Sequence, residues 1–322
     1  MSGAFRPIVP DDLLVELRLD GRAVAFLFAD DEHEINELRA SLLPQLPCGH
    51  HVVVNTAAAD GDSKTGGRVW HSAPVLCQFL REWQHAATVL DVLELGSGTG
   101  ACGLWCACGA LRARRVVLTD GDEALLPLMT HNWRKHSHLI CSEVSIESLR
   151  WGCRSEAALP KGSYDLLIGS DVIYDWDDHE ALCVTLSSLM RRDVRRAPRA
   201  VFATMPRHRV AAPATIDGMG AAACGEPRRE VLHSSGHVLR EPSTSPSGLF
   251  TDQALVRFVR TAASHGLRVS PGGAAGVPAH RRGSAENPST LAASDWPLGF
   301  AWTADEFREL HPFVMIIDLD LE

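Results

Sequence analysis

The stretch LELGSGTGACG, residues 93–103, sets three glycines between an apolar run that ends at Leu95 and a second that begins at Ala101, with a fourth at Gly103. Glycine lets a chain turn tightly and removes the Cβ atoms that would hold a ligand away from the backbone. A helix that follows such a turn offers unpaired N–H groups at its N-terminus. The stretch therefore predicts a strand, a turn that a ligand approaches, and a helix, which is the opening unit of a sheet with crossover helices.

The rest of the chain repeats that unit. Strands are predicted at TVLDVLEL, RRVVLTD, LICSEVSI, YDLLIGS, RAVFATM, GLRVS and PFVMIIDLD, where leucine and β-branched residues cluster in short runs. Helices are predicted at ACGLWCACGALR, DEALLPLMTHNWRKH, DHEALCVTLSSLMRR and TDQALVRFVRTAASH, with WHSAPVLCQFLREW as a helix leading into the first core strand. The expected fold is α/β: a Rossmann-like, doubly wound, seven-stranded and mainly parallel sheet with helices on both faces. Ahead of it, LLVELRLDGRAVAFLFADD reads as two strands around an Asp-Gly turn, and HHVVVNT as another strand. Residues 1–65 are thus expected to form a small β-rich appendage to a main domain over 66–322. Ala, Gly, Pro and Ser dominate 211–249 and 271–299, which read as loop insertions.

Composition narrows the class. A chain of 322 residues that is 45% apolar has material for an enzyme-sized core, and a net charge of −9 argues against a partner held by phosphate neutralisation, such as nucleic acid. The opening residues MSGAFRPIVP lack an apolar export segment, and no run approaches the roughly 20 residues that span a bilayer. A monomer in the cytoplasm is expected, with nuclear presence open and no membrane partner. Nine cysteines scattered through apolar segments fit a reducing compartment. Cys102, Cys106 and Cys108 lack a second pair at ligand spacing, and His131 and His136 are five apart and splay on a helix, so no metal is expected.

The glycine turn has two readings. GTGACG from Gly98 to Gly103 satisfies GxGxxG, and Asp120 lies 20 residues past Gly100, as in a dinucleotide site. In the other reading the glycines face the amino-acid part of S-adenosylmethionine (SAM) and Asp120 binds the ribose hydroxyls. Glu94, two residues before Gly96, favours SAM, because an acid there organises the turn and a ligand ammonium but repels a pyrophosphate. The ordinary alternative for Asp120 is a helix N-cap, a task Asp122 can also perform.

Four pieces then occur in order: GGRVWHSAPVLCQFL; LELGSGTGACG with VVLTDGDEALLPLMTHN; LRWG; and GSDVIYD. Together they resemble the seven-β-strand (class I) SAM-dependent methyltransferases, and more narrowly methyltransferase family 16, a group of protein lysine methyltransferases. The resemblance implies that Trp70 closes over the methionine end of SAM, that Gly96, Ser97 and Gly98 form the glycine turn, and that Asp120 holds the ribose. It implies Trp151 and Ser170 at the adenine end and a structural role for Asn132. The chain departs from the family pattern at Ser170, where Ala or Cys is common, and at Cys153, where an acid often follows LRWG.

Ligands of open α/β sheets sit outside the carboxyl ends of the strands, so Gly96, Asp120 and Asp171 are expected in one crevice, with Asp171 and Tyr174 toward the reacting methyl as the catalytic pair. The ordinary alternative has Asp171 capping a turn and Tyr174 packing at a strand end. Trp176 is a possible cation–π wall. The basic run RRDVRRAPR reads as a solvated helix end. The function expected from the resemblance is methyl transfer from SAM to a lysine of a protein substrate. The alternatives are a histidine, RNA or small-molecule methyltransferase, and, from other classes, an NAD-dependent oxidoreductase or a non-catalytic SAM-fold binding protein.

Overall fold

The computed structural model describes residues 14–19, 22–27, 43–56, 65–82, 89–152, 159–174, 176–192, 199–206, 209–211, 249–272, 302–303 and 312–320. Most of the two predicted insertions, and the side chain of Trp176, lie outside these residues. The predicted hairpin forms: β1 (Leu14–Leu19) pairs antiparallel with β2 (Arg22–Leu27), Leu19 opposite Arg22.

The chain then builds α1 (Ser72–Glu82), β3 (Leu90–Glu94), α2 (Ala101–Trp105), β4 (Ala113–Asp120), α3 (Leu126–Lys135), β5 (Glu143–Ser148), β6 (Leu166–Ser170), α4 (His179–Leu189) and β7 (Arg199–Thr204). It continues through β8 (Arg209–Ala211), β9 (Leu249–Asp252), α5 (Gln253–Ser264), β10 (Leu267–Pro271), β11 (Trp302–Thr303) and β12 (Phe313–Leu319). The seven predicted core strands make one sheet in the order β10-β12-β7-β6-β3-β4-β5. β5, β4, β3, β6 and β7 pair in parallel, while β12 is antiparallel to both of its neighbours. β8, β9 and β11 form a separate three-stranded sheet.

Strand alternation explains the double winding. Val92, Leu118, Leu166, Ile168, Val201 and Ala203 pack toward Leu76, Leu80, Trp105 and Met129 on one face. Their chain neighbours Leu93, Val117, Leu167, Ala200 and Phe202 pack toward Leu182, Leu186, Phe258 and Ala262 on the other. Because successive side chains of a strand point to opposite faces, a central strand buried on both sides reads as an uninterrupted apolar run.

Two predicted elements differ. ACGLWCACGALR is α-helical only over Ala101–Trp105, continues as a π-turn to Ala110, and ends where Gly109 adopts a φ of 89°. A glycine in the left-handed region is a common helix stop. HHVVVNT is not a strand. Its backbone is satisfied by side chains of α3 and of His136, the residue that follows it: Val53 N–H donates to His136 Nε2 (3.1 Å), Asn55 N–H donates to Asn132 Oδ1 (2.7 Å), and Asn132 Nδ2 donates to Asn55 O (3.0 Å). Val52 and Val54 are buried in the core beside Leu43 and Leu46.

Candidate active site

From β3 the chain crosses to β4 on one side and later returns to β6 on the other, so the strand order reverses between β3 and β6. A crevice opens outside the carboxyl ends at such a point. Here it is a cavity of about 560 Å³, within the roughly 300–1,000 Å³ usual for small-molecule sites. Trp70, Glu94, Gly96, Ser97, Gly98, Asp120, Trp151, Ser170, Asp171 and Tyr174 all line it. They come from five separated segments that the sheet order brings together.

The floor is the turn after β3. Gly96 and Gly98 have φ of 61° and 54°, a region that disfavours side chains. A Cβ on Gly98 would overlap the carbonyl oxygen of Gly66, and one on Gly96 would lie 2.9 Å from Val172 Cγ1. Gly98 N–H donates to Asp120 Oδ2 (2.9 Å), while Asp120 Oδ1 accepts from Asp122 N–H (2.9 Å). Asp120 is thus pinned across the turn rather than capping a helix. The cap belongs to Asp122, which accepts from Ala124 N–H (3.1 Å). Burial pushes the Asp120 carboxyl above its ordinary pKa, partly offset by these backbone N–H groups.

Glu94 is 2% exposed and its Oε2 accepts from Gly103 N–H in α2 (3.0 Å). A Cβ on Gly103 would overlap Leu118 and crowd Glu94, so this glycine serves helix–strand contact. Burial raises the Glu94 pKa to about 8, with the Gly103 N–H opposing. The main-chain oxygen of Glu94 accepts from Thr119 Oγ1 (2.6 Å), and Ser97 Oγ accepts from Thr119 N–H (2.9 Å), tying the turn to β4.

Trp151 lies 3.6 Å, through its Cζ2, from where a Gly96 Cβ would stand. Ser170 Oγ is buried with no hydrogen-bond partner. Asp171 has a φ of 55°, the one positive value among the described non-glycine residues. Asp tolerates this region better than most residues. Its N–H donates to Ala203 O (2.8 Å) and its Oδ1 accepts from Met205 N–H (3.0 Å). One oxygen therefore does the backbone-capping work of the ordinary reading, while the residue also lines the cavity. Tyr174 is 44% exposed at the cavity wall.

Arg68, Arg150 and Asp178 also line the cavity and were not singled out from the sequence. Arg68 and Arg150 lie inside GGRVW and LRWG, so the motif positions carried a signal for them; Asp178 had none. Asn132 is fully buried, and its Nδ2 donates to Thr99 O (2.9 Å) as well as to Asn55 O, which joins the glycine turn to residues 50–56.

This donor set fits SAM. Asp120 suits ribose hydroxyls, Glu94 an ammonium, Trp151 and the orphaned Ser170 hydroxyl an adenine. It fits a dinucleotide less well, because the N–H groups of Gly98 and Gly103, which a pyrophosphate would need, already donate to carboxylates.

Residues 54–210, just under half of the chain, match the family model described as lysine methyltransferase. The chain is 34% identical over 125 residues to "Protein N-lysine methyltransferase METTL21A" of Danio rerio, covering 39% of this chain and 56% of that protein. It is 28% identical over 178 residues to "Protein-lysine methyltransferase METTL21E" of Mus musculus, covering 50% and 70%. It is 35% identical over 145 residues to "Histone-arginine methyltransferase METTL23" of Xenopus laevis, covering 43% and 56%. The chain spans little more than half the length of two of these three relatives. The match over 54–210 takes in the glycine turn, Asp120, Trp151 and the Ser170–Tyr174 segment, so the residues gathered at this switch-point crevice are ones over which the chain is similar to the lysine methyltransferase family.

Proposed function

We propose that the protein transfers a methyl group from SAM to a lysine side chain of a protein substrate. The observation that carries this reading is the convergence of the glycine turn, Asp120, Trp151 and the Ser170–Tyr174 segment on one cavity. The names of the METTL21 relatives support lysine as the acceptor.

When bound, SAM supplies an electrophilic methyl on a sulfonium. The chain's own residues hold and orient. Gly96, Ser97 and Gly98 receive the methionine part with Trp70 over it, and Glu94 faces the ammonium. Asp120 takes the ribose hydroxyls, and Trp151 and Ser170 flank the adenine. A lysine amine, with an ordinary pKa of about 10.4, must arrive neutral; desolvation and a nearby sulfonium charge favour that form. Asp171, fixed through Oδ1 by Met205 N–H, accepts an acceptor N–H through Oδ2 and aims the lone pair at the methyl carbon. Tyr174 walls the acceptor side. The bound group would supply the methyl and be left as S-adenosylhomocysteine, while the residues of the acceptor side would hold the amine and let its proton pass to solvent.

Incubation with methyl-labelled SAM and a cell extract, followed by mass spectrometry, tests the reading. Label on protein lysine supports it. Label confined to arginine, histidine, RNA or metabolites overturns the acceptor, and NAD binding without SAM binding overturns the whole.

A further inference from the structure

SAM carries a sulfonium, an ammonium and, at the end of its methionine part, a carboxylate. The two cations suit a cavity wall that holds Glu94, Asp120, Asp122, Asp171 and Asp178. The carboxylate does not, because an anion among acids is repelled unless N–H groups or a cation answer its charge. Four N–H groups in and just after the glycine turn are already engaged. Ser97 N–H donates to Thr119 O (2.8 Å), Gly98 N–H to Asp120 Oδ2 (2.9 Å), Gly100 N–H to Ser97 O (2.7 Å) and Gly103 N–H to Glu94 Oε2 (3.0 Å). Two of these acceptors are themselves carboxyl groups, which adds to the negative character of the turn. Compensation for a ligand carboxylate therefore falls to a side-chain cation.

Among the described residues that line the cavity, the basic side chains are those of Arg68 and Arg150. Their positions divide them. Arg150 follows β5 and is exposed. Leu149 N–H before it donates to Asp120 O (2.9 Å), and a Cβ on Gly121 would lie 3.6 Å from Arg150 Cγ. Arg150 thus stands beside Asp120 and Trp151, at the ribose and adenine end. Arg68 is half-buried in the segment 66–70, which packs on the glycine turn. A Cβ on Gly66 would lie 3.7 Å from Gly98 Cα, and one on Gly98 would overlap Gly66 O. Two residues past Arg68 comes Trp70, which in the methyl-transfer reading covers the methionine part.

We infer that Arg68 holds the carboxylate of SAM and makes the site selective for a cofactor with an intact amino-acid end. The inference rests on the methyl-transfer reading. A guanidinium can meet a carboxylate with two parallel N–H···O bonds, which are stronger than bonds between neutral groups. Arg68 is then a binding residue that does not touch the reacting methyl, so its loss should raise the KM for SAM and leave kcat at saturating SAM close to wild type.

The test is calorimetry of wild type, Arg68→Gln and Arg68→Lys with SAM and with decarboxylated SAM, which keeps the sulfonium and an ammonium but lacks the carboxylate. Wild type should bind SAM about tenfold more tightly than the decarboxylated compound, and Arg68→Gln should bring the two within about twofold by weakening SAM alone. Lys should keep only part of the preference, because an ammonium is a point charge without the guanidinium fork. A Gln variant that weakens both compounds equally makes Arg68 a support of the 66–70 wall and overturns the inference, as does a wild type that binds both compounds equally. Where Gln does not fold, the Lys variant reads the same ratio: a reduced preference for SAM supports the inference and an unchanged one overturns it. Each of these outcomes leaves SAM as the cofactor. A wild type that binds neither compound overturns the methyl-transfer reading as well.

Discussion

Gly98 has no room for a side chain: at φ 54° its backbone sits in the left-handed region, and a Cβ would overlap Gly66 O. The left-handed conformation alone costs a non-glycine residue about 1–2 kcal/mol, and the overlap displaces the Gly66–Trp70 wall of the cavity. Gly98→Ala is therefore expected to lower the melting temperature and to weaken SAM binding at least tenfold by calorimetry. Asp171 poses the opposite case, a residue with both a fold role and a chemical one. Asn also tolerates a positive φ, and its Oδ1 still accepts from Met205 N–H. Asp171→Asn should thus keep the melting temperature within a few degrees while lowering kcat about 100-fold, a loss typical of a displaced charged catalytic group. Asp171→Ala should melt lower as well, because Met205 N–H loses its acceptor. If Asn keeps full activity, Asp171 is a backbone anchor and nothing more.

Among the elements, α3 and the segment 50–56 show how a buried amide substitutes for a strand partner. Asn132 makes three bonds, to Asn55 N–H, Asn55 O and Thr99 O, from a fully buried position. His136 adds a fourth tie. Its Nδ1 lies 2.8 Å from Asn132 O while Nε2 accepts from Val53 N–H, which fixes the neutral tautomer with the proton on Nδ1, and burial lowers its pKa. Removing Asn132 leaves main-chain groups of Asn55 and Thr99 without partners, at about 1–3 kcal/mol for each group that stays buried. Asn132→Ala should lower the unfolding free energy by about 2–4 kcal/mol in urea. It should also weaken SAM binding, since Thr99 belongs to the glycine turn; an unchanged SAM affinity would mean that the turn holds its shape without α3. The resemblance pointed to a structural Asn132, but periodicity in HHVVVNT pointed to a strand. The bonds that replaced a strand ladder join residues about 80 positions apart, and no local pattern encodes them.

At the scale of the whole molecule, the sheet was legible because each central strand is buried on both faces and so writes an apolar run into the sequence. The meeting of Gly96, Asp120 and Asp171 followed from their places at the carboxyl ends of strands. Asp178 was not legible, since Asp before a helix ordinarily signals a cap. The far end of the sheet was silent too: Asp91, 2% exposed, binds Arg114 and Arg191, and Arg191, from a run that read as a solvated helix end, also reaches Asp165. Glu94 was read as an acid and is a buried one, which gives the protein a pH dependence. Its folded pKa of about 8 stands above the ordinary carboxyl value of 4.5. The folded state therefore holds a proton that the unfolded chain releases, so this contribution to stability is complete below about pH 4.5 and is lost as pH rises through about 8. A bound ammonium reverses the preference by stabilising the carboxylate, and SAM binding at pH 7 should release a proton from Glu94. Glu94→Gln keeps an acceptor for Gly103 N–H and cannot ionise. Unliganded wild type should melt progressively lower relative to Glu94→Gln from pH 5 to pH 9, and saturating SAM should narrow that gap. Calorimetry at pH 7 in buffers of different ionisation enthalpy should give different apparent binding enthalpies for wild type, with that difference reduced in Glu94→Gln. A gap in melting temperature that stays flat with pH would mean that Glu94 does not titrate within the fold.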